Sequence, residues 1–130
     1  MSERSKTYQA GLATRKKVLG EDHVNRSMNN VNEFTEPLQD FLVEHAWGAV
    51  WTREGLSHKE RSMINLAMLT ALNRPHELKL HLKGALNNGL TKEQIREVLL
   101  QTAVYCGAPA AIDAFRTAGQ VFAEEEQSGK

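Results

Sequence analysis

The sequence contains a single cysteine, Cys106, among 130 residues. One thiol cannot close an intrachain disulfide, so no disulfide framework can hold this fold. Surplus charge of either sign is also missing: 16 basic residues balance 16 acidic ones. A nucleic-acid binder needs a basic excess on one face, and an anionic membrane surface attracts only a net cation. Both partner classes are therefore excluded as expectations. No stretch approaches the ~20 apolar residues of a membrane-spanning helix. The N-terminus, MSERSKTYQAG, lacks the apolar run of a secretory signal, which makes the cytoplasm the expected compartment. Sustained two-residue alternation bounded by turn residues is absent too, which argues against a sheet.

What is present is helical punctuation. Ser57 with Glu60, and Thr91 with Gln94, have capping-box spacing ahead of apolar runs. Pro75 suits the first turn of a helix and Gly89 the position just past its end. Gly107 can stop one helix and Pro109 open the next. Between these marks apolar residues recur at helical spacing, as in Leu78, Leu82, Ala85 and Leu86. The pattern predicts an all-α single domain over 1–130 with about six helices, at 5–18, 35–50, 57–72, 75–88, 92–105 and 109–125. The short turn at Asn73–Arg74 makes the third and fourth of these an antiparallel hairpin. Residues from Glu124 onward read as a frayed polar tail.

The 57–72 segment carries the first hint of assembly. From Met63 to Leu72 only Asn65 and Thr70 are polar, so the helix is apolar around most of its circumference. Such a helix must be covered on nearly all sides, at the centre of the domain or at a subunit interface, and an oligomer is the favoured expectation.

Several groups could carry chemistry. Glu77 and His81 stand four apart, on one helical face and one turn apart, with Gly84 and Asn88 continuing that side. A carboxylate beside an imidazole orients the ring and raises its basicity near neutral pH. The same spacing also fits an exposed pair that merely supports the helix. Arg61, just ahead of the apolar run, has a guanidinium fork able to grip a carboxylate. His23 and Arg26 lie in GEDHVNRSM, read as a connector that could line the mouth of an anion pocket. Trp47 and Trp51 suit a packing face, with a pocket wall as the functional reading. No HExxH or Cys-rich pattern supports a metal, and no cofactor motif is visible. A non-catalytic helical interaction module remains the rival reading from these residues alone.

Three segments together carry a resemblance: GLATRKKVLGEDHVNR at 11–26, WTREGLSHKERSMINLAMLTALNRPHELKLHLKGALNNGLTKEQIREVLLQ at 51–101, and AVYCGAPAA at 103–111. They resemble the carboxymuconolactone decarboxylase family. That resemblance implies an alkyl-hydroperoxidase D-like helical bundle, a homohexamer and a bacterial cytoplasmic enzyme. It implies cofactor-free decarboxylation of 4-carboxymuconolactone to 3-oxoadipate enol-lactone, in the protocatechuate branch of the β-ketoadipate pathway. The redox branch of this superfamily carries CxxCxxxH, but here Arg74 and Glu77 stand where the two cysteines would be. No dithiol can form, so a disulfide-based peroxidase mechanism is excluded. A peroxidase-like use of Cys106 alone, or another lactone-processing activity, is the alternative on this fold. The roles implied are His81 as general acid oriented by Glu77, with positive charge on its ring available to an enolate. Arg61, helped by Arg26 and His23, would bind the substrate's acetate arm, and Trp51 would stand beside the leaving carboxylate.

Overall fold

The computed structural model describes residues 4–129, so the first three residues of the polar N-terminus and Lys130 lie outside the described residues. Among the described residues the chain is helical without a strand. The helices are α1 (Lys6–Leu19), α2 (Glu21–Asn29), α3 (Glu36–Phe41), α4 (His58–Ala71), α5 (Pro75–Asn87), α6 (Lys92–Tyr105) and α7 (Ala108–Gln127). A π-helical segment, Leu42–Gly48, continues α3. Two compact units divide the chain between His58 and Lys59.

The first unit departs from expectation at α2, which was read as a connector. Gly20 adopts φ +95°, a left-handed conformation that ends α1. Its carbonyl then accepts the Val24 N–H at 3.1 Å and starts a new helix. Glu21 and Asp22 fill the first turn, where negative charge favours the helix N-terminus. The apolar signal is only Val24 and Met28, one turn apart, too short a stripe to be read in advance. Among the described residues the α-helices therefore number seven rather than about six, and His23 and Arg26 ride on a helix.

The 35–50 prediction becomes α3 plus the π-helical turn. α1 packs directly on that turn. A methyl group at Gly11 would overlap the Val43 carbonyl oxygen, and one at Gly48 would overlap the Thr7 carbonyl oxygen. Two glycines thus set how closely these backbones approach.

In the second unit, α4 to α7 enclose a core of Leu66, Leu78, Leu82, Ile95, Leu99 and Val121, with small alanines filling α7. The α4–α5 turn closes through Asn73 at φ +58°, the only described non-glycine residue with positive φ. Across it the Arg74 N–H reaches the Leu69 carbonyl at 3.0 Å. Gly89, at φ +94°, ends α5 in the same manner, with the Leu90 N–H on the Ala85 carbonyl at 3.0 Å. The Thr91–Gln94 capping box forms as the spacing predicts, both reciprocal bonds being present. The frayed-tail reading is corrected: α7 continues to Gln127. Glu124 is clasped there by Lys79 at 2.9 Å and Lys83 at 3.3 Å, which pins α7 to α5 and lowers the Glu124 pKa.

The apolar circumference of α4 divides in two. Leu66 is fully buried, while Ile64, Met68 and Leu72, successive at four-residue steps, are 43%, 49% and 63% exposed.

Candidate active site

The antiparallel arrangement of α4 and α5 brings their polar side chains into register. Near the start of α4 and past the end of α5, the Asn88 amide donates to the buried Ser62 hydroxyl at 2.8 Å. Three residues further along α4, Nδ2 of Asn65 lies 3.4 Å from Nδ1 of His81. Polar groups inside an apolar helix pair are tolerated because they meet each other. Asn65 was singled out in the sequence only as an interruption of the apolar run. Its position among nine other residues of MINLAMLTAL was the one available signal.

His81 is half-buried and its pKa is lowered, chiefly because burial disfavours the charged ring, with Glu77 opposing through its charge. Burial therefore favours the neutral ring. Glu77 is itself exposed, and its influence on His81 is Coulombic. Arg61 is half-buried and lies one turn before Asn65 on the same face of α4. The second unit therefore gathers Arg61, Asn65, His81 and, from the outside, Glu77. Gly84 is buried, one turn beyond His81 on α5.

His23 is half-buried and Arg26 exposed, one turn apart on α2 in the first unit. Trp51 is buried there, stacked on Trp47 with ring centroids 4.8 Å apart and tilted against His58 at 5.8 Å. That environment matches the packing-face reading, and the contact with His58, which opens α4, was not anticipated. Cys106 is exposed at the end of α6 and lines an open apolar groove of about 390 Å³ with Met63, Ile64 and Tyr105. Among the described residues no three His, Cys, Asp or Glu side chains converge as metal ligands would, and no helix is long and apolar enough to cross a membrane.

A half-buried imidazole with an amide at one nitrogen, and a guanidinium one helical turn from that amide, can bind an acid and move one proton. The chain is similar to proteins named as decarboxylases. The chain is 45% identical over 115 residues to a 4-carboxymuconolactone decarboxylase of Acinetobacter baylyi, covering 88% of this chain and 86% of that protein. It is 44% identical over 107 residues to a nitrosuccinic acid decarboxylase of Metarhizium robertsii, covering 82% and 75% respectively. A shorter match, 39% over 41 residues, joins 32% of it to 85% of a 4-carboxymuconolactone decarboxylase sequence of Pseudomonas putida. The profile of the carboxymuconolactone decarboxylase family matches residues 36–120, a span that holds Arg61, Asn65, Glu77 and His81, and the chain belongs to that family.

Proposed function

We propose that the protein is a carboxy-lyase that converts 4-carboxymuconolactone to 3-oxoadipate enol-lactone in the protocatechuate branch of the β-ketoadipate pathway. The observation that carries this reading is its 45% identity to the Acinetobacter baylyi decarboxylase along nearly the full length of both chains. The family match runs through both units, which supports one catalytic domain.

The substrate supplies its own electron sink. When the bond from the ring to the carboxylate breaks, carbon dioxide leaves, and the electron pair flows through the ring double bond into the lactone carbonyl. No external acceptor of electrons is required. The protein then has to hold the acid, keep water from the departing carboxylate and return one proton to the dienolate. Arg61 is assigned to the acetate arm, where a guanidinium fork matches a carboxylate. The departing carboxylate is better placed against an apolar surface, because a tight ion pair would stabilise the ground state more than the transition state. His81 is assigned as the general acid. Burial lowers its pKa in the free protein, so the proton it delivers is taken up as the anionic lactone binds and opposes the cost of burial. Glu77 favours the same charged ring through its field. His23 and Arg26 on α2 are assigned to substrate binding, as is Trp51, and each substitution is expected to raise KM. We also propose a homohexamer in the cytoplasm. The solvent-facing row Ile64, Met68 and Leu72 supports assembly, since monomers rarely expose so continuous an apolar row.

The test is incubation of the purified protein with 4-carboxymuconolactone and no added cofactor, following carbon dioxide release and the enol-lactone product. Stoichiometric release supports the assignment. An assembled protein that leaves the lactone intact would overturn it.

A further inference from the structure

The resting state of His81 has two neutral forms, with the ring proton on Nδ1 or on Nε2, and only one presents a donor from a given edge of the ring. We infer that Asn65 is a positioning residue: its amide seats the Nδ1 edge of His81 and so keeps the resting proton on Nε2. The inference rests on the acid role proposed for His81 in its consequence for turnover, but not in its statement about the ring.

The geometry supplies the argument. Nδ2 of Asn65 faces Nδ1 at 3.4 Å. An amide NH₂ carries two donors and no acceptor. The ring nitrogen that faces it must therefore be the one without hydrogen, which assigns the proton to the opposite nitrogen. The setting makes this preference count. Asn65 on α4 and His81 on α5 are each half-buried, which shields their pairing from water in part. The amide is also held in place: one turn of α4 away, the Asn88–Ser62 bond at 2.8 Å ties the same two helices and fixes their axial register. A slip of the hairpin would break both rungs together. A carboxylate in that position would accept only, and would force the proton onto Nδ1.

Spacing pointed to the carboxylate as the group that orients the ring. Glu77 is exposed, whereas the amide from α4 lies against the ring itself.

The experiment reads the ring directly. Protein labelled with ¹⁵N in histidine is examined by long-range ¹H–¹⁵N correlation above the His81 titration, and the His81 signals are assigned by their loss in His81→Gln. Wild-type protein is expected to show a protonated Nε2 and an unprotonated Nδ1. Asn65→Asp should move the proton to Nδ1, and Asn65→Leu, whose size suits the apolar neighbours, should give a mixture of the two forms. A wild-type ring protonated on Nδ1, or an unchanged pattern in both variants, overturns the inference. Kinetics separates it from the proposed reaction: Asn65→Leu and Asn65→Asp are expected to lower kcat about tenfold or more with KM changed less than about threefold. A shifted tautomer with unchanged kcat would support the inference about Asn65 and remove His81 from the reaction.

Discussion

Arg15 in the first unit and His81 in the second are both titratable groups withdrawn from water, and burial lowers the pKa of each. Their surroundings answer that cost differently. Arg15 is 9% exposed, and its partners are all neutral: Gln39 Oε1 at 3.0 Å, Ser27 Oγ at 3.2 Å and Met28 Sδ at 3.8 Å. Gln39 in turn donates to Ser27 at 3.2 Å, closing a ring of three side chains that joins α1, α2 and α3. The Nε–H of Arg15 is buried without an acceptor. A guanidinium cannot shed its proton near neutral pH, so the fold must solvate it with dipoles. An imidazole can shed its proton, and the surroundings of His81 include the neutral Asn65 amide and the charge of Glu77. The first arrangement fixes a charge where nothing moves, whereas the second leaves a proton to be gained and lost. That difference is the physical basis for placing structural work on Arg15 and chemistry on His81.

The largest expected effect breaks the comparison on the chemical side. His81→Gln keeps a polar group of similar reach but no titrating proton, and decarboxylation is expected to fall by roughly 10²–10⁴-fold. Unfolding by urea at fixed protein concentration should move far less. A folded variant with turnover within about twofold of wild type would take the proposed proton-transfer role away from His81.

Next comes the structural side. Arg15→Ala empties a buried site and takes the donor from Gln39 Oε1 and one of two donors from Ser27 Oγ, a loss expected near 3 kcal/mol of unfolding free energy. Arg15→Met fills most of the same volume without a charge to solvate and should cost about 1 kcal/mol or less. If Ala and Met behave alike, the filled volume does not distinguish them and the packing half of this account fails. Neither change should alter the pH dependence of stability between pH 5 and 8 by more than about 0.3 kcal/mol, since arginine stays charged throughout.

How far could this contrast be seen in the sequence? The ends of α5 and the start of α6 were legible, because Pro75, Gly89 and the Thr91–Gln94 pair act through local geometry alone. The Glu77–His81 alignment was legible for the same reason. Arg15 was not, since it sits in ATRKKVLG beside Lys16 and Lys17, three basic residues of which packing against Gln39 and Ser27 selects one. Asn65 was visible as a polar residue in an apolar helix, but its partner lies across a hairpin, sixteen residues away. Spacing along one helix carries no information about which side chain of another helix meets it. α2 was missed because nine residues with two apolar positions give too weak a period to compete with a loop reading.

A smaller effect sharpens the comparison through pH. The folded-state pKa of His81 lies below its ordinary value of about 6.5. Above pH 6.5 both folded and unfolded rings are neutral, and the group contributes no pH dependence. As pH falls below 6.5 the unfolded chain binds the proton first, so stability declines until the folded pKa is passed, and then levels. The slope from one such proton cannot exceed about 1.4 kcal/mol per pH unit. Subtracting the stability profile of His81→Gln from that of wild type should isolate this decline, and a flat difference would mean that the ring is not protected from water.

The smallest expected effect concerns the charge of Glu77. Glu77 raises the His81 pKa against the larger influence of burial, so Glu77→Gln should move the His81 titration further down. Because Glu77 is exposed, its field crosses solvent and is screened by ions, with a Debye length of about 10 Å at 0.1 M salt and about 3 Å at 1 M. The difference between wild type and Glu77→Gln in an NMR titration should therefore shrink as salt is raised. The loss in kcat at low salt is expected to stay within about threefold. A far larger loss that salt does not diminish would mean that Glu77 touches the ring or the substrate directly. His81 would then be governed by close partners, as Arg15 is, and the contrast between the two units would rest on charge alone rather than on distance.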